Sequence, residues 1–368
     1  MTPDWGAVRQ QFPALANWTY LNTATYGQLP QRAVAAAQEH FAHRDSLACT
    51  DFLEWFDAAD GVRERIAQLI RCRADDIAFI SNASTGLATL LNGIDWQEGD
   101  RIVTLEGEFP NNLYIAALRQ RYHIRFAEVP WDRFYESIDR NTRLVAMSTA
   151  NYTTGFRPPL AHISRFLHEQ GVMLYLDGTQ TVGALGLDVG DVRPDVLAVD
   201  GYKWLLSPNG AGFLYVSPKL RPKLTPSVLG WRSDAGWREV NSLHHGAPRF
   251  KEAAEKYEGG MLDFPAIFAM SESVQMMLEL GPERIEQRVL ELAAKTKKIL
   301  EEAGATVLHD HTPILAAHFV DRDPVALAAR LKEQRIIVSA RHGNLRVSVH
   351  FYNDESDLEK LRAALAGG

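Results

Sequence analysis

The chain has 368 residues, with 39 Lys+Arg against 46 Asp+Glu, a formal net charge of −7, and 46% apolar residues. A length of this order accommodates roughly two domains and a large core, and the apolar content excludes extended disorder. The mild acidity supplies no general attraction to nucleic acid or to anionic lipid, so neither is an expected partner.

In chain order, the opening Met1-Thr2-Pro3-Asp4-Trp5 lacks the basic-then-apolar pattern of a secretory signal. Cys49 and Cys72 match no disulfide, zinc or redox spacing. Residues 77–94 are uncharged, but Ser81, Asn82, Ser84, Thr85, Gly86, Thr89, Asn92 and Gly93 make them too polar for a bilayer span. A cytoplasmic chain is the expectation. Between about residues 76 and 216, short apolar runs at 77–81, 101–105, 124–129, 144–148, 172–176 and 196–199 alternate with segments that read as helices, such as 111–122 and 160–170. Most of the runs have the density of strands buried on both faces, and the rhythm is that of a parallel α/β sheet. Residues 226–260, rich in Gly, Trp, His and charge, read as a long excursion able to serve as an active-site loop. Beyond residue 281 the pattern changes. Ile285, Val289, Leu292, Ile299 and Leu300 share one helical face, and Asp323-Pro324 opens a helix running to about Gln334. Leu345, Val347, Val349 and Phe351 alternate with polar residues as a half-buried strand, and Leu358, Leu361 and Leu365 give a closing helix. Residues 281–368 are thus expected to form a smaller α+β domain.

Ligands of open α/β sheets gather at the carboxyl ends of the strands. The residues after the runs are Asn82-Ala83-Ser84-Thr85-Gly86, Glu108-Phe109-Pro110-Asn111, Asn151-Tyr152-Thr153-Thr154-Gly155, Asp177-Gly178-Thr179-Gln180 and Asp200-Gly201-Tyr202-Lys203. One sheet edge therefore collects a helix start with hydroxyls, an aromatic ring, a carboxylate, an amide and a lysine. Pyridoxal 5'-phosphate needs that set: a lysine for its Schiff base, a carboxylate at its ring nitrogen and an anion site for its phosphate. Lys203 suits the first role and the acid/base work at the substrate Cα, Asp177 the second, and Ser84 with Thr85 the third. Phe109 suits stacking on the ring and Gln180 the phenolic oxygen. Each residue alone has an ordinary reading, as surface lysine, turn carboxylate, helix cap or core aromatic; their combination in this order outweighs those readings. His244-His245 and His309-Asp310-His311 lack a third ligand at a recognisable spacing, so no metal is expected. Gly210-Ala211-Gly212 leads into a strand and reads as a glycine hairpin rather than a dinucleotide fingerprint.

Across nearly its whole length the chain resembles the class-V aminotransferase family of fold-type-I pyridoxal phosphate enzymes, which includes cysteine desulfurases, isopenicillin N epimerase and kynureninase. Tyr20-Leu21-Asn22-Thr23-Ala24, the segment from Leu176 to Gly183, Gly201-Tyr202-Lys203-Trp204-Leu205 with Pro208 to Val216, and Arg346 to Asn353 carry the resemblance. It implies a mainly parallel-sheet large domain with helices on both faces and a small C-terminal α+β domain. The corresponding boundaries are an N-terminal arm at 1–20, the large domain at 21–264, a connecting helix at 265–280 and the small domain at 281–368. It further implies Lys203 as Schiff base, Asp177 at the ring nitrogen, Gln180 at the phenolic oxygen, Phe109 on the ring with Asn151 nearby, and Tyr202 at the phosphate. Arg346 would bind the carboxylate of a small amino substrate, and a homodimer is implied. Two departures stand out. Residues 339–345 lack the desulfurase cysteine, and Met261 replaces a threonine that reaches the partner's phosphate. Aminotransferase or β-elimination lyase is the leading reading. An epimerase-like activity, a catalytically silent pyridoxal phosphate-binding protein and a nucleotide-binding α/β protein are its rivals.

Overall fold

A computed structural model describes residues 3–367; Met1 and Thr2 of the N-terminal arm and Gly368 lie outside the described residues. The chain opens with α1 (Trp5–Arg9), β1 (Thr19–Tyr20), α2 (Gln31–Leu47) and α3 (Phe52–Ile70). The alternation follows as β2 (Ile77–Ile80), α4 (Ala83–Gly93), β3 (Arg101–Leu105), α5 (Pro110–Ala117), β4 (Arg125–Val129) and α6 (Phe134–Ser137). It continues through β5 (Thr142–Ser148), α7 (Leu160–Glu169), β6 (Met173–Asp177), α8 (Val189–Val192), β7 (Val196–Asp200) and β8 (Gly212–Val216). Then come α9 (Phe264–Leu280), α10 (Pro282–Glu302), β9 (Thr306–Val307), β10 (Ile314–His318) and α11 (Pro324–Glu333). The last elements are β11 (Ile336–Ile337), β12 (Ser339–Arg341), β13 (Asn344–Ser348) and α12 (Glu355–Ala366).

Seven strands form one sheet in the order β2-β8-β7-β6-β5-β3-β4. Strands β3 to β7 pair in parallel, and β8 is antiparallel to both its neighbours. Every residue of β2, β7 and β8 is buried, because helices cover both faces of the sheet. On one face α4 sets Leu87, Leu90 and Leu91 against Ala78, Ile80 and Leu214. On the other, Phe56, Ile66, Ile163, Leu167 and Met270 from α3, α7 and α9 join Phe79, Val145 and Leu197. Gly86 permits the close approach of α4 to β7, since a Cβ there would lie 2.7 Å from that of Ala198. Two expectations change. The run at 124–129 is not doubly buried: β4 has a single sheet neighbour, and along it only Val129 is buried, with the charged Arg125 and Glu128 on the exposed edge. The helix expected over 111–122 ends at Ala117 and tightens into a 3-10 turn, Leu118–Tyr122, that closes on a left-handed His123 (φ 63).

A four-stranded antiparallel sheet, β12-β13-β10-β9, forms a second centre with α10, α11 and α12. The α10 stripe Ile285, Val289, Leu292, Ile299 and Leu300 is buried as its spacing requires. Asp323 caps α11 by accepting from the Val325 and Ala326 amides. Strand β13 is buried on both faces rather than one, because Arg346 and Ser348 turn toward the large sheet's end of the molecule. The N-terminal segment packs beside this sheet: β1 and β11 form a separate two-stranded parallel sheet, Asn22 bridges Ser348, and the Ser348 hydroxyl accepts from the Ala24 amide at 3.0 Å. Among the described residues no helix is long and apolar enough to cross a membrane.

The 226–260 excursion has only two short 3-10 turns, yet it is firmly anchored. Glu258, buried, accepts from both terminal nitrogens of Arg63 on α3, from Arg232 at 2.9 Å and from the Phe79 amide of β2 at 2.7 Å. Arg232 also pairs with Glu255 at 2.6 Å and stacks over the Phe56 and Trp237 rings.

Candidate active site

The turn chemistry of the parallel sheet brings the candidate residues to one edge. Strand β6 ends at Asp177 and β7 at Asp200, three residues before Lys203. A narrow cleft opens there, walled by Phe109, Tyr152, Asp177, Thr179, Gln180, Asp200, Tyr202 and Lys203 with Asn111 and Ser148. Lys203 is 7% exposed and makes no hydrogen bond or ion pair among the described residues. Its amine lies 5.3 Å from the Phe109 ring centroid and 5.4 Å from that of Tyr202. Burial pulls the ammonium down to about 8; Arg346 and Arg341 act in the same sense, opposed by Asp177 and Asp200. A lysine so placed is partly free base near neutrality and available to an aldehyde.

Asp177 is buried, and burial pushes its carboxyl up against the opposing Thr179 contacts and the Lys203 charge. One of its oxygens accepts from the Thr179 amide at 2.9 Å, which leaves the other for a protonated ring nitrogen. Gln180 is oriented at both ends: its Oε1 accepts from the Trp204 indole at 2.9 Å, and its Nε2 gives one of its two protons to the Ala24 carbonyl at 3.3 Å. Phe109 meets Tyr152 edge-on with centroids 5.0 Å apart. Asn82 caps α4 by accepting from the Thr85 amide at 2.9 Å, so Ser84 and Thr85 stand in the first turn of α4, as expected. The Thr85 hydroxyl bonds Ser81 and Asn82, while the Ser84 hydroxyl has no partner among the described residues.

Arg346 is 1% exposed and has no carboxylate partner among the described residues. Its guanidinium donates to the Tyr152 carbonyl, the Thr25 hydroxyl and, at 3.2 Å, the Ser339 hydroxyl. Burial pulls its pKa down to about 10, with Arg341 adding to the shift. A buried cation held only by neutral oxygens is a receptor for an anion. His342, at the turn between β12 and β13, meets the Tyr152 hydroxyl at 3.0 Å and brings that hairpin to the cavity rim.

Two sequence expectations fare differently. The Asn151 side chain accepts within its own loop from Thr153 and Thr154 and donates to the Gly107 carbonyl of the loop after β3; like Ser84 and Thr85, it is not among the cavity walls. Residues 226–260 supply no cavity wall within the chain either. Three contributors carried no sequence assignment. Asp200 accepts from the Ala83 amide at the start of α4 at 2.8 Å, and burial, then Asp177, pushes its carboxyl up to about 6. Thr25 reaches Arg346 across 321 residues of chain, and Arg341 adds positive charge. Only Asp200 had a signal, its place at a strand end.

A mainly parallel sheet that presents a buried lysine, a buried carboxylate, an aromatic ring and an oriented amide at its carboxyl edge is the architecture of the fold-type-I pyridoxal phosphate enzymes. The donor set fits that cofactor: one cleft holds a lysine without a hydrogen-bond or ion-pair partner among the described residues and a carboxylate with a free oxygen. The profile of Aminotransferase class-V matches residues 19–361, and the chain belongs to this family of pyridoxal phosphate-dependent enzymes. It is 26% identical to a probable cysteine desulfurase of Methanothermobacter thermautotrophicus, over 97% of this chain and 96% of that one. It is 25% identical to the isopenicillin N epimerase of Streptomyces clavuligerus, over 98% of each. Among solved structures it resembles the cystine C–S lyase C-DES in complex with its reaction product cysteine persulfide, with a TM-score of 0.88, 25% identity, and 97% and 99% of the two chains covered.

Proposed function

We propose that Lys203, Asp177, Phe109 and Gln180 hold pyridoxal phosphate in this cavity, and that Arg346 binds the carboxylate of an amino-acid substrate undergoing transamination or β-elimination. The observation that carries the reading is the buried, unpaired Lys203 in one cavity with buried Asp177. When bound, the cofactor supplies an electron sink for a bond broken at Cα. The chain's residues do the rest. Asp177 balances a protonated ring nitrogen, Phe109 covers a ring face, and Gln180 directs its remaining amide proton at the phenolic oxygen. Tyr202 and Ser84 with Thr85 face the phosphate end, with Asn151 setting the loop that carries Tyr152. Arg346 fixes the substrate so that Cα faces Lys203, and Lys203, with a pKa of about 8, takes and returns the Cα proton.

Persulfide chemistry on the enzyme is not part of this reading. The turn between β12 and β13 is His342-Gly343 without a thiol, and burial pushes Cys72, at the end of α3, up to about 12. The large domain at 21–264 would carry the cofactor and the small domain at 281–368 Arg346, linked by the helix at 265–280, with the arm at 1–20 associated with the small domain. A homodimer is supported by the exposed apolar Tyr26, Leu29, Val34 and Phe41, of which Tyr26 contacts Tyr202 at the cavity. Two unpaired cysteines suit a cytoplasmic setting.

The test is the visible absorption of the purified protein and of Lys203→Ala, before and after adding amino acids. A cofactor band in the wild type that changes with particular amino acids and is lost from its lysine-bound position in the variant is expected. A wild-type protein that stays colourless with added cofactor overturns the reading, and a band with no exchange of amino-acid α-protons into solvent points to the silent binding protein.

A further inference from the structure

The phosphate end of the cavity already contains an anion. Asp200 is 5% exposed and lines the cavity that holds Lys203 and Asp177. Its carboxylate takes the Ala83 amide, while Asn82 takes the Thr85 amide, so protein oxygens occupy two of the first three amides of α4. The positive end of a helix of this length is the natural seat of a phosphate. Among the cavity walls Lys203 is the single cation, and its charge is committed to the aldehyde end of the cofactor. A dianionic phosphate placed there would add two negative charges beside Asp200 and Asp177 with no second cation among the cavity walls to offset them, which buried groups avoid by taking up a proton.

We propose that Asp200 is the acid partner of the cofactor phosphate: on binding, one solvent proton is taken up and shared between the Asp200 carboxyl and a phosphate oxygen. This inference rests on the reading that Lys203 holds the cofactor. The groups facing Asp200 are consistent with it. Asp177 on β6 opposes its ionisation, Lys203 and the Ala83 amide favour it, and Tyr202 and Tyr175 are neutral phenols. Thr179 accepts from the Asp200 amide at 3.0 Å, and α4 contributes only the uncharged Asn82, Ser84 and Thr85. With burial already setting Asp200 near 6, close to the second ionisation of a phosphate monoester at about 6, the free components carry little proton above pH 7, and the complex carries one. The phosphate's contribution to affinity then falls about tenfold per pH unit above pH 7.

The experiment is an absorbance titration of the apo-protein with pyridoxal phosphate and with unphosphorylated pyridoxal between pH 6 and 9. The ratio of the two dissociation constants removes the titration of Lys203, which both aldehydes share. In the wild type the advantage of the phosphorylated aldehyde is expected to shrink about tenfold per unit from pH 7 to 9. Asp200→Ser is expected to flatten that dependence and to tighten the phosphorylated ligand at pH 8. Asp200→Asn, which keeps an acceptor for the Ala83 amide, serves if the serine variant does not fold, and is expected to be equally flat. The phosphorus resonance of the bound cofactor gives a second readout, expected to shift with pH in the wild type and to hold the dianion position in Asp200→Ser. A ratio independent of pH in the wild type, or variants identical to it, overturns the proposal while leaving the cofactor in place. Failure of both aldehydes to produce a band overturns the cofactor reading and this proposal together.

Discussion

Glu258→Gln tests whether a buried charge network, rather than apolar packing, holds the 226–260 excursion to the large domain. The carboxylate receives four hydrogen bonds: two from Arg63, one from Arg232 and one from the Phe79 amide. Both arginines are buried, and proximity to Glu258 raises the Arg63 pKa despite the opposing cost of burial. Neutralising one member of a buried pair costs about 3–5 kcal/mol, because the partner charge is left behind. Here Asp60 and Glu255 still compensate Arg63 and Arg232, and a glutamine can still accept from Phe79, so the lower end, about 3 kcal/mol, is expected. With a urea slope of about 3 kcal/mol/M for a chain of this size, the unfolding midpoint of the apo-protein drops by about 1 M. Glu255→Gln is the comparison: Glu255 is 18% exposed, lies at the network's edge, and its loss is expected to cost about 1 kcal/mol. Proteolysis in the exposed stretch around 239–250 should accelerate in the Glu258 variant and not in the other. A Glu258→Gln loss below 1 kcal/mol, or one equal to that of Glu255→Gln, would refute the assignment of the anchor to this network.

Three further outcomes follow from the same structure. Arg346→Ala should raise KM for amino-acid substrates by about 100-fold, the worth of a buried charge-assisted pair, and Arg346→Lys should recover little of it because the ammonium cannot present two parallel donors; a KM within threefold of wild type would remove Arg346 from substrate binding. Gly183→Ala should lower stability by more than about 2 kcal/mol, since φ is +105° and the added Cβ would lie 2.2 Å from the Trp204 carbonyl oxygen beside Lys203; an unchanged thermal midpoint would contradict that contact. His350 is buried and neutral, accepting from the Phe351 amide at Nδ1 and donating from Nε2 to the Trp204 carbonyl, and burial pulls it down to about 3. The unfolded chain takes up this proton near pH 6.5 and the folded chain only near 3, so His350 costs stability as pH falls between those values, by about 1.4 kcal/mol per unit. The stability difference between wild type and His350→Gln should therefore narrow by about 2 kcal/mol from pH 6.5 to 4.5, and a constant difference would show that the histidine is charged or exposed.

Local pattern was enough for the features that depend on local physics. Apolar runs separated by helical periods can bury themselves only as a parallel sheet between helices, and the residues after those runs must then share one edge. That places Lys203, Asp177, Phe109 and Gln180 together, and the Asp323 cap and the α10 stripe are equally readable. What the tertiary structure decided are the quantities that sum over residues distant in sequence. Strand β13 alternates as though one face met water, yet Thr25, 321 residues from Arg346, and Ala24 cover the polar face. Strand β4 comes from one run in the same series and lies at the edge, with its charged Arg125 and Glu128 exposed, a place in the strand order set by the crossovers. Glu258 and Asp200 are unremarkable acids in the sequence. Glu258 gains its role from Arg63, 195 residues away, and Asp200 from the Ala83 amide, 117 residues away. Hydrophobic period and turn chemistry act over a few residues, whereas burial and charge balance are properties of the folded neighbourhood, so a side chain's chemistry is settled only when that neighbourhood closes around it.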